Sequence, residues 1–249
     1  MKLKFAALVC SALVSAVGLS SSAMAGSVSL TFQTFSIPND GNNDGTGDFG
    51  ICCSSPPATS PDVQLGSTLG PDGLPIAGPS SNVVDLTPTL AGNEITWWGP
   101  LAVANFGFSN TGSYTANTPY SSNMFAPNST GSSDDGAYET AIITGNLTSD
   151  FNDLLITIAA DDDALVYVNG KYVGGTPGVH PTQPESIFIP GFGGTGTLEI
   201  FYADRARVGA NLSLNVSNVP EPLTLSLFGA GLAGAAAAMR RRRKANKSA

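Results

Sequence analysis

The chain has 249 residues, 42% of them hydrophobic, with 29 glycines, 17 prolines and a formal net charge of −8. Its charges are segregated: two of the eleven Lys and Arg lie in the first 25 residues and six lie beyond residue 218, so residues 26–218 hold three cations against eighteen carboxylates, a net −15. That balance excludes nucleic acid and anionic membrane surfaces as partners and suits a divalent cation or a neutral ligand, while also serving solubility outside the cell.

At the N-terminus, Lys2 and Lys4 precede the uncharged apolar run Phe5–Leu19, and Ala23-Met24-Ala25 is a small-x-small site. This is the layout of a secretory signal peptide over residues 1–25, a signal helix cut by signal peptidase between Ala25 and Gly26. The run is short for a membrane span. Cys10 leaves with that segment. Cys52 and Cys53 are adjacent and reach an oxidising compartment, where they form a vicinal disulfide, link to another chain or stay as free thiols. Two Cys without other clustered Cys or His make a poor zinc site.

Residues 26–218 have the length of one domain, with no long stretch of helical periodicity. Residues 38–82 are rich in Pro, Gly, Ser and Asn and read as long loops around short strands. Short β-rich runs recur at Val28–Phe35, Ile95–Trp98, Ala141–Thr144, Leu154–Ala159, Leu165–Val168, Ser186–Ile189, Thr197–Tyr202 and Leu212–Val216. That spacing predicts an all-β fold, an antiparallel β-sandwich or barrel. Asn169-Gly170 is the strongest hairpin signal, joining Leu165–Val168 to Tyr172–Val173.

The most informative stretch is Asp161-Asp162-Asp163, directly after one predicted strand and before another. Adjacent like charges repel, and a cation relieves that repulsion; Ca²⁺ suits because it takes six to eight oxygen ligands in flexible geometry. A solvated Asp-rich turn is the alternative. Asp40, Asn42, Asp44, Gly45 and Asp48 resemble an EF-hand-like loop, but Ile51 stands where the bidentate Glu belongs. His180 is the only histidine and reads as a loop residue bonding backbone; no Gly-x-Ser-x-Gly accompanies it. Arg205, beside Asp204, either pairs with one of the aspartates and orients the loop or forms an ordinary surface ion pair. Trp97, Trp98, Tyr114 and Tyr120 serve either as sugar-stacking surfaces or as core packing.

At the C-terminus, Pro220-Glu221-Pro222 is followed by the apolar stretch Leu223–Met239 and then by Arg240–Arg243, Lys244 and Lys247. As a helix the stretch spans about 25 Å, enough for a thin bilayer, and the basic cluster holds that end in the cytoplasm. The order of motif, single transmembrane helix 223–239 and basic tail resembles the PEP-CTERM sorting signal of Gram-negative bacteria, here over residues 219–249. The resemblance implies transient anchoring in the inner membrane, cleavage by an exosortase near the motif, and release to the cell surface or an exopolysaccharide matrix.

Within the central segment, Asp161-Asp162-Asp163, Val166-Tyr167-Val168-Asn169-Gly170-Lys171, Gly178-Val179-His180 and Phe201-Tyr202-Ala203-Asp204-Arg205 together resemble the fibro-slime domain. Asp48-Phe49, the segment Thr68–Pro75 and Phe125-Ala126-Pro127 extend the likeness loosely. Fibro-slime domains are similar to the protective-antigen-type, lectin-like β-sandwich. In lectins of that group an Asp-Asp pair joined by a cis peptide binds Ca²⁺, which ligates sugar hydroxyls. Carried over, the pair is Asp161-Asp162 or Asp162-Asp163, the metal set is Asp161, Asp162 and Asp163, and the carbohydrate-binding set is Asp162, Asn169, His180, Asp204 and Arg205. Asn169 also has a purely conformational reading, since the turn itself wants Asn-Gly. The chain departs from the family at Gly175, where an Asp is common, and at Asp204-Arg205-Ala206, where Glu-Arg-His is usual. The implied function is a non-enzymatic, Ca²⁺-dependent carbohydrate-binding module or adhesin with extracellular polysaccharide as partner. The alternatives are a structural matrix protein with calcium only as a staple and, more remotely, a small polysaccharide-active enzyme.

Overall fold

The structure is a computed structural model describing residues 27–38, 48–49, 65–79, 86–89, 92–126, 137–149, 153–206 and 209–219, with 231 and 234. The chain divides into two units, Met1–Val219 and Pro220–Ala249. In the first, fourteen strands and one short helix are described. They are β1 (Ser29–Pro38), β2 (Leu65–Leu69), β3 (Pro75–Ala77), β4 (Leu86–Thr89), β5 (Gly92–Ile95), α1 (Gly99–Phe106), β6 (Ser109–Asn117) and β7 (Tyr120–Asn123). They continue with β8 (Ala137–Ser149), β9 (Asp153–Asp161), β10 (Asp163–Val168), β11 (Lys171–Thr176), β12 (Gln183–Ile189), β13 (Gly194–Ala203) and β14 (Asn211–Val219).

The strands form two antiparallel sheets. The larger runs β4-β5-β3-β2-β11-β10-β13-β8-β1-β6 and the smaller β12-β9-β14-β7. Alternation along β9 and β14 buries Leu154, Ile156 and Ile158 beside Leu212, Leu214 and Val216. These meet Leu30, Phe32, Ile143, Leu198 and Ile200 of the larger sheet in one apolar core between the sheets.

The larger sheet is apolar on its other face as well. Leu165 and Tyr167 alternate with the core residues Ala164 and Val166, and Phe201 alternates with Ile200 and Tyr202. They join Trp97, Trp98, Phe49, Phe108 and Tyr138 in a second core under α1 and β2–β5. Strand β10 is therefore buried at all six positions, as a strand covered on both faces must be.

The all-β expectation holds, with local corrections. Only Ile95 of the expected run Ile95–Trp98 is in a strand; Trp97 and Trp98 lie in a bend before α1. That helix has Pro within its first turn and ends on Gly107 at φ 76°, a left-handed C-cap. At eight residues it is too short to show a helical period. The Asn169-Gly170 hairpin forms as read: both residues have positive φ, 52° and 69°, as a type I′ turn requires, and Val168 pairs with Lys171. The signal helix, the Ala25/Gly26 cleavage site, the Cys52-Cys53 pair and Pro220-Glu221-Pro222 lie outside the described residues. Of the helix expected over 223–239, Gly231 and Gly234 are described, both helical and exposed. Among the described residues no helix is long and apolar enough to cross a membrane.

Candidate functional site

The three aspartates stand where the chain crosses between the sheets. Asp161 ends β9 in the smaller sheet and Asp163 begins β10 in the larger. The Asp161–Asp162 peptide is cis. The crossing sends the three carboxylates to different surroundings.

Asp163 turns into the interior. Its Oδ2 accepts from Arg205 Nε at 2.6 Å, and its Oδ1 from Arg205 Nη2 at 3.4 Å and from the Gly178 amide. Both side chains are fully buried. The guanidinium lies 4.6 Å from the Trp97 ring centroid, and the Trp97 indole N–H donates to Asp48 Oδ2 at 2.9 Å. This pairing is a tie beneath the loops, and it withdraws Asp163 from the expected metal set.

Asp162 is also fully buried and accepts from three backbone amides. Its Oδ1 accepts from His180 N at 3.0 Å, and its Oδ2 from Arg205 N and Ala206 N at 2.8 Å each. Burial, with the nearby charge of Asp163, pushes its carboxyl up to about 7 against the pull of those amides. Asp161 accepts from Thr182 N at 3.1 Å through Oδ2, and its carbonyl takes the Tyr202 hydroxyl at 2.6 Å. Burial raises its carboxyl as well, opposed by the Thr182 amide. A Cβ on Gly209, whose φ is 98°, would lie 2.6 Å from Asp161 Oδ2, so only glycine lets the chain pass there. Asn211 Nδ2 bridges Thr182 Oγ1 at 2.7 Å and the Gly209 carbonyl at 2.8 Å. Thr182, Gly209 and Asn211 carry no motif in the sequence and are brought in only by the register of β9, β12 and β14.

Other expected residues are placed elsewhere. Asn169 follows the far end of β10, about 20 Å along the chain from Asp163; its Oδ1 accepts from Thr197 N at 2.9 Å. Asp204 and Arg205 have no exposed side-chain surface and cannot face a sugar. His180 contributes its backbone amide, while its ring nitrogens face the carbonyls of Pro181 at 2.9 Å and Thr176 at 3.1 Å. Trp97 and Trp98 are core; Tyr114 is exposed at the sandwich edge, stacked on Phe32 with centroids 4.5 Å apart. Asp48 of the EF-hand-like stretch is buried against Trp97, and the rest of that stretch lies outside the described residues. Gly175 has φ 144°, and a Cβ there would meet the Ala164 carbonyl oxygen at 2.0 Å, so this backbone admits no Asp.

Among the described residues no three His, Cys, Asp or Glu side chains converge as a metal-binding group. The donor set therefore does not fit a three-carboxylate cage. It does fit a two-carboxylate one: Asp161 and Asp162 are adjacent hard-oxygen donors whose anionic forms burial disfavours, and a cation would relieve that penalty.

The class defined so far is an all-β domain with an acidic, loop-held site between its sheets. Beyond it, residues 218–243 match the family model of the PEP-CTERM protein-sorting motif. The chain thus carries a signal for export and surface attachment in Gram-negative bacteria, processed by an exosortase. No curated protein matches the chain. Among solved structures, it is similar to a PA14 sugar-binding domain from an RTX adhesin at 16% identity, covering 76% of this chain and 89% of that one with a TM-score of 0.34. It is also similar to the Epithelial Adhesin 9 A domain from Candida glabrata, crystallised with Galb1-4GlcNAc, at 14% identity, 71% and 91% coverage and a TM-score of 0.30. A β-glucosidase from Kluyveromyces marxianus matches at 13% identity over 34% of this chain with a TM-score of 0.28, and the chain spans only 12% of that enzyme. All three scores are low and say nothing of what this chain binds.

Proposed function

We propose that the chain is an exported surface or exopolysaccharide-matrix protein whose all-β domain, a lectin-like sandwich resembling the fibro-slime domain, binds carbohydrate through a Ca²⁺ held by Asp161 and Asp162. The observation that carries this reading is the side-by-side pair of buried carboxylates at the crossing between sheets, with residues 180–182 and 205–206 folded onto it through backbone amides. Bound Ca²⁺ would supply a hard Lewis acid to which sugar hydroxyls add as ligands. The chain's own residues do the rest. Asp163 and Arg205 fix the start of β10 from below, Thr182 and Asn211 fix Asp161, and Gly209 leaves room beside it. After transient tethering in the inner membrane the domain is displayed at the surface or released.

Calorimetry of the full chain tests this. Wild type takes up Ca²⁺ and retains glycans on an array only with Ca²⁺ present; Asp161→Asn loses both. Asp161 is the choice because Asp162 anchors three amides. Absence of any Ca²⁺ uptake by wild type overturns the reading. The same amide bonds favour a second reading, calcium as a staple: there Ca²⁺ raises the melting temperature and no glycan is retained.

A further inference from the structure

The outer face of the smaller sheet carries a groove of about 400 Å³. Its floor is built from paired small or polar residues, Ala159 opposite Ser213 and Thr157 opposite Asn215. Its walls are Pro184 on β12 and Pro119 beside β7. Small residues in the two middle strands between prolines at the margins make the depression. Outward positions recur every second residue, so Asp161 and Asn211 stand one step beyond Ala159 and Ser213, and Leu155 and Ser217 one step beyond Thr157 and Asn215. In that last row Phe188, across from Leu155, is 54% exposed. The track from Asp161 to Phe188 follows six residues of β9, about 20 Å.

The lining is hydroxyl, amide and apolar, with no Lys or Arg, and its one carboxylate, Glu185, is engaged with the Gly175 amide at 3.0 Å. Asn215 Oδ1 is buried without a hydrogen-bond partner among the described residues. A half-buried, mostly apolar track edged by hydroxyl and amide groups, with an exposed aromatic ring at one end, matches a pyranose chain, which offers hydroxyls along its edges and C–H faces to apolar surface. The net −15 of residues 26–218 opposes an anionic polysaccharide and a second copy of the chain alike.

We propose that this groove is a second carbohydrate site, binding internal residues of a linear neutral polysaccharide along β9 and β14. Binding here needs no metal, since no residue of the groove floor belongs to the Asp161–Asp162 pair. It therefore stands or falls separately from the Ca²⁺ reading.

The test is affinity electrophoresis of the full chain in EDTA through gels holding barley β-glucan, xyloglucan or galactomannan, followed by titration with oligosaccharides of increasing length from whichever retards it. At least one polysaccharide retards the wild type in EDTA, affinity rises with oligosaccharide length, and Phe188→Ala binds on the order of tenfold more weakly. Ser213→Phe, which fills the groove from the solvent side, also abolishes retardation. Both groove variants keep the wild-type melting temperature. No retardation by any of the three in EDTA overturns the proposal, as does unchanged binding in both groove variants.

Discussion

Arg205 is the residue on which the site's geometry rests. Its guanidinium is fully buried, 2.6 Å from Asp163, stacked over Trp97 and bonded to the Asp48 carbonyl at 3.4 Å. Removing one partner of a buried pair strands the other charge, so Arg205→Met should destabilise the domain by about 3–5 kcal/mol in urea unfolding. Arg205→Lys recovers only part of this, because a single ammonium cannot reproduce the side-on contact and the ring stacking together. In the sequence, pairing of Arg205 with one of the aspartates stands beside an ordinary surface ion pair, and burial decides between them. Which aspartate it takes is not legible there: three adjacent carboxylates look equivalent until the chain crosses from one sheet to the other between them. The same crossing explains why Asn169, only six positions after Asp163, belongs to the opposite end of the sheet.

Among the elements, β5 shows how a short strand is locked in place. Glu94 has no exposed surface, and its Oε1 accepts from Asp72 N at 3.0 Å and Leu74 N at 3.3 Å in the turn between β2 and β3. Burial raises its carboxyl above the ordinary 4.5, against the pull of those two amides. The folded protein then holds a proton that the unfolded chain releases, so Glu94 favours folding below pH 4.5 and that contribution is lost as pH rises through the raised folded value. Glu94→Gln keeps an oxygen for both amides and removes the ionisation. Its melting temperature relative to wild type should therefore climb from pH 4 to pH 7. Strands with apolar alternation, such as β9, β13 and β14, were readable from their residues. Strand β6 was not: Ser109–Asn117 is almost wholly polar because it is an edge strand paired on one side only, to β1, and pairing rather than burial defines it.

At the scale of the molecule, the chain divides into its two units at a single residue. Strand β14 runs to Val219, which pairs with Asp153, and the unit it closes ends at that residue. The matched sorting motif begins at 218 and Pro220-Glu221-Pro222 follows at once. A protease acting at the motif would thus cut beside the last ladder bond and leave every core side chain among the described residues in place. A chain ending at Val219 should melt at the temperature of the full chain. One ending at Leu214 loses the β9 pairing from Asn215 onward and the buried Val216, which alone contributes about 1.5–3 kcal/mol. If the Val219 truncation melted well below the full chain, residues 220–249 would have to contribute to the domain's stability, and processing at the motif would weaken the exported protein. Equal melting fits a domain complete in itself, to which the sorting segment is added only for delivery.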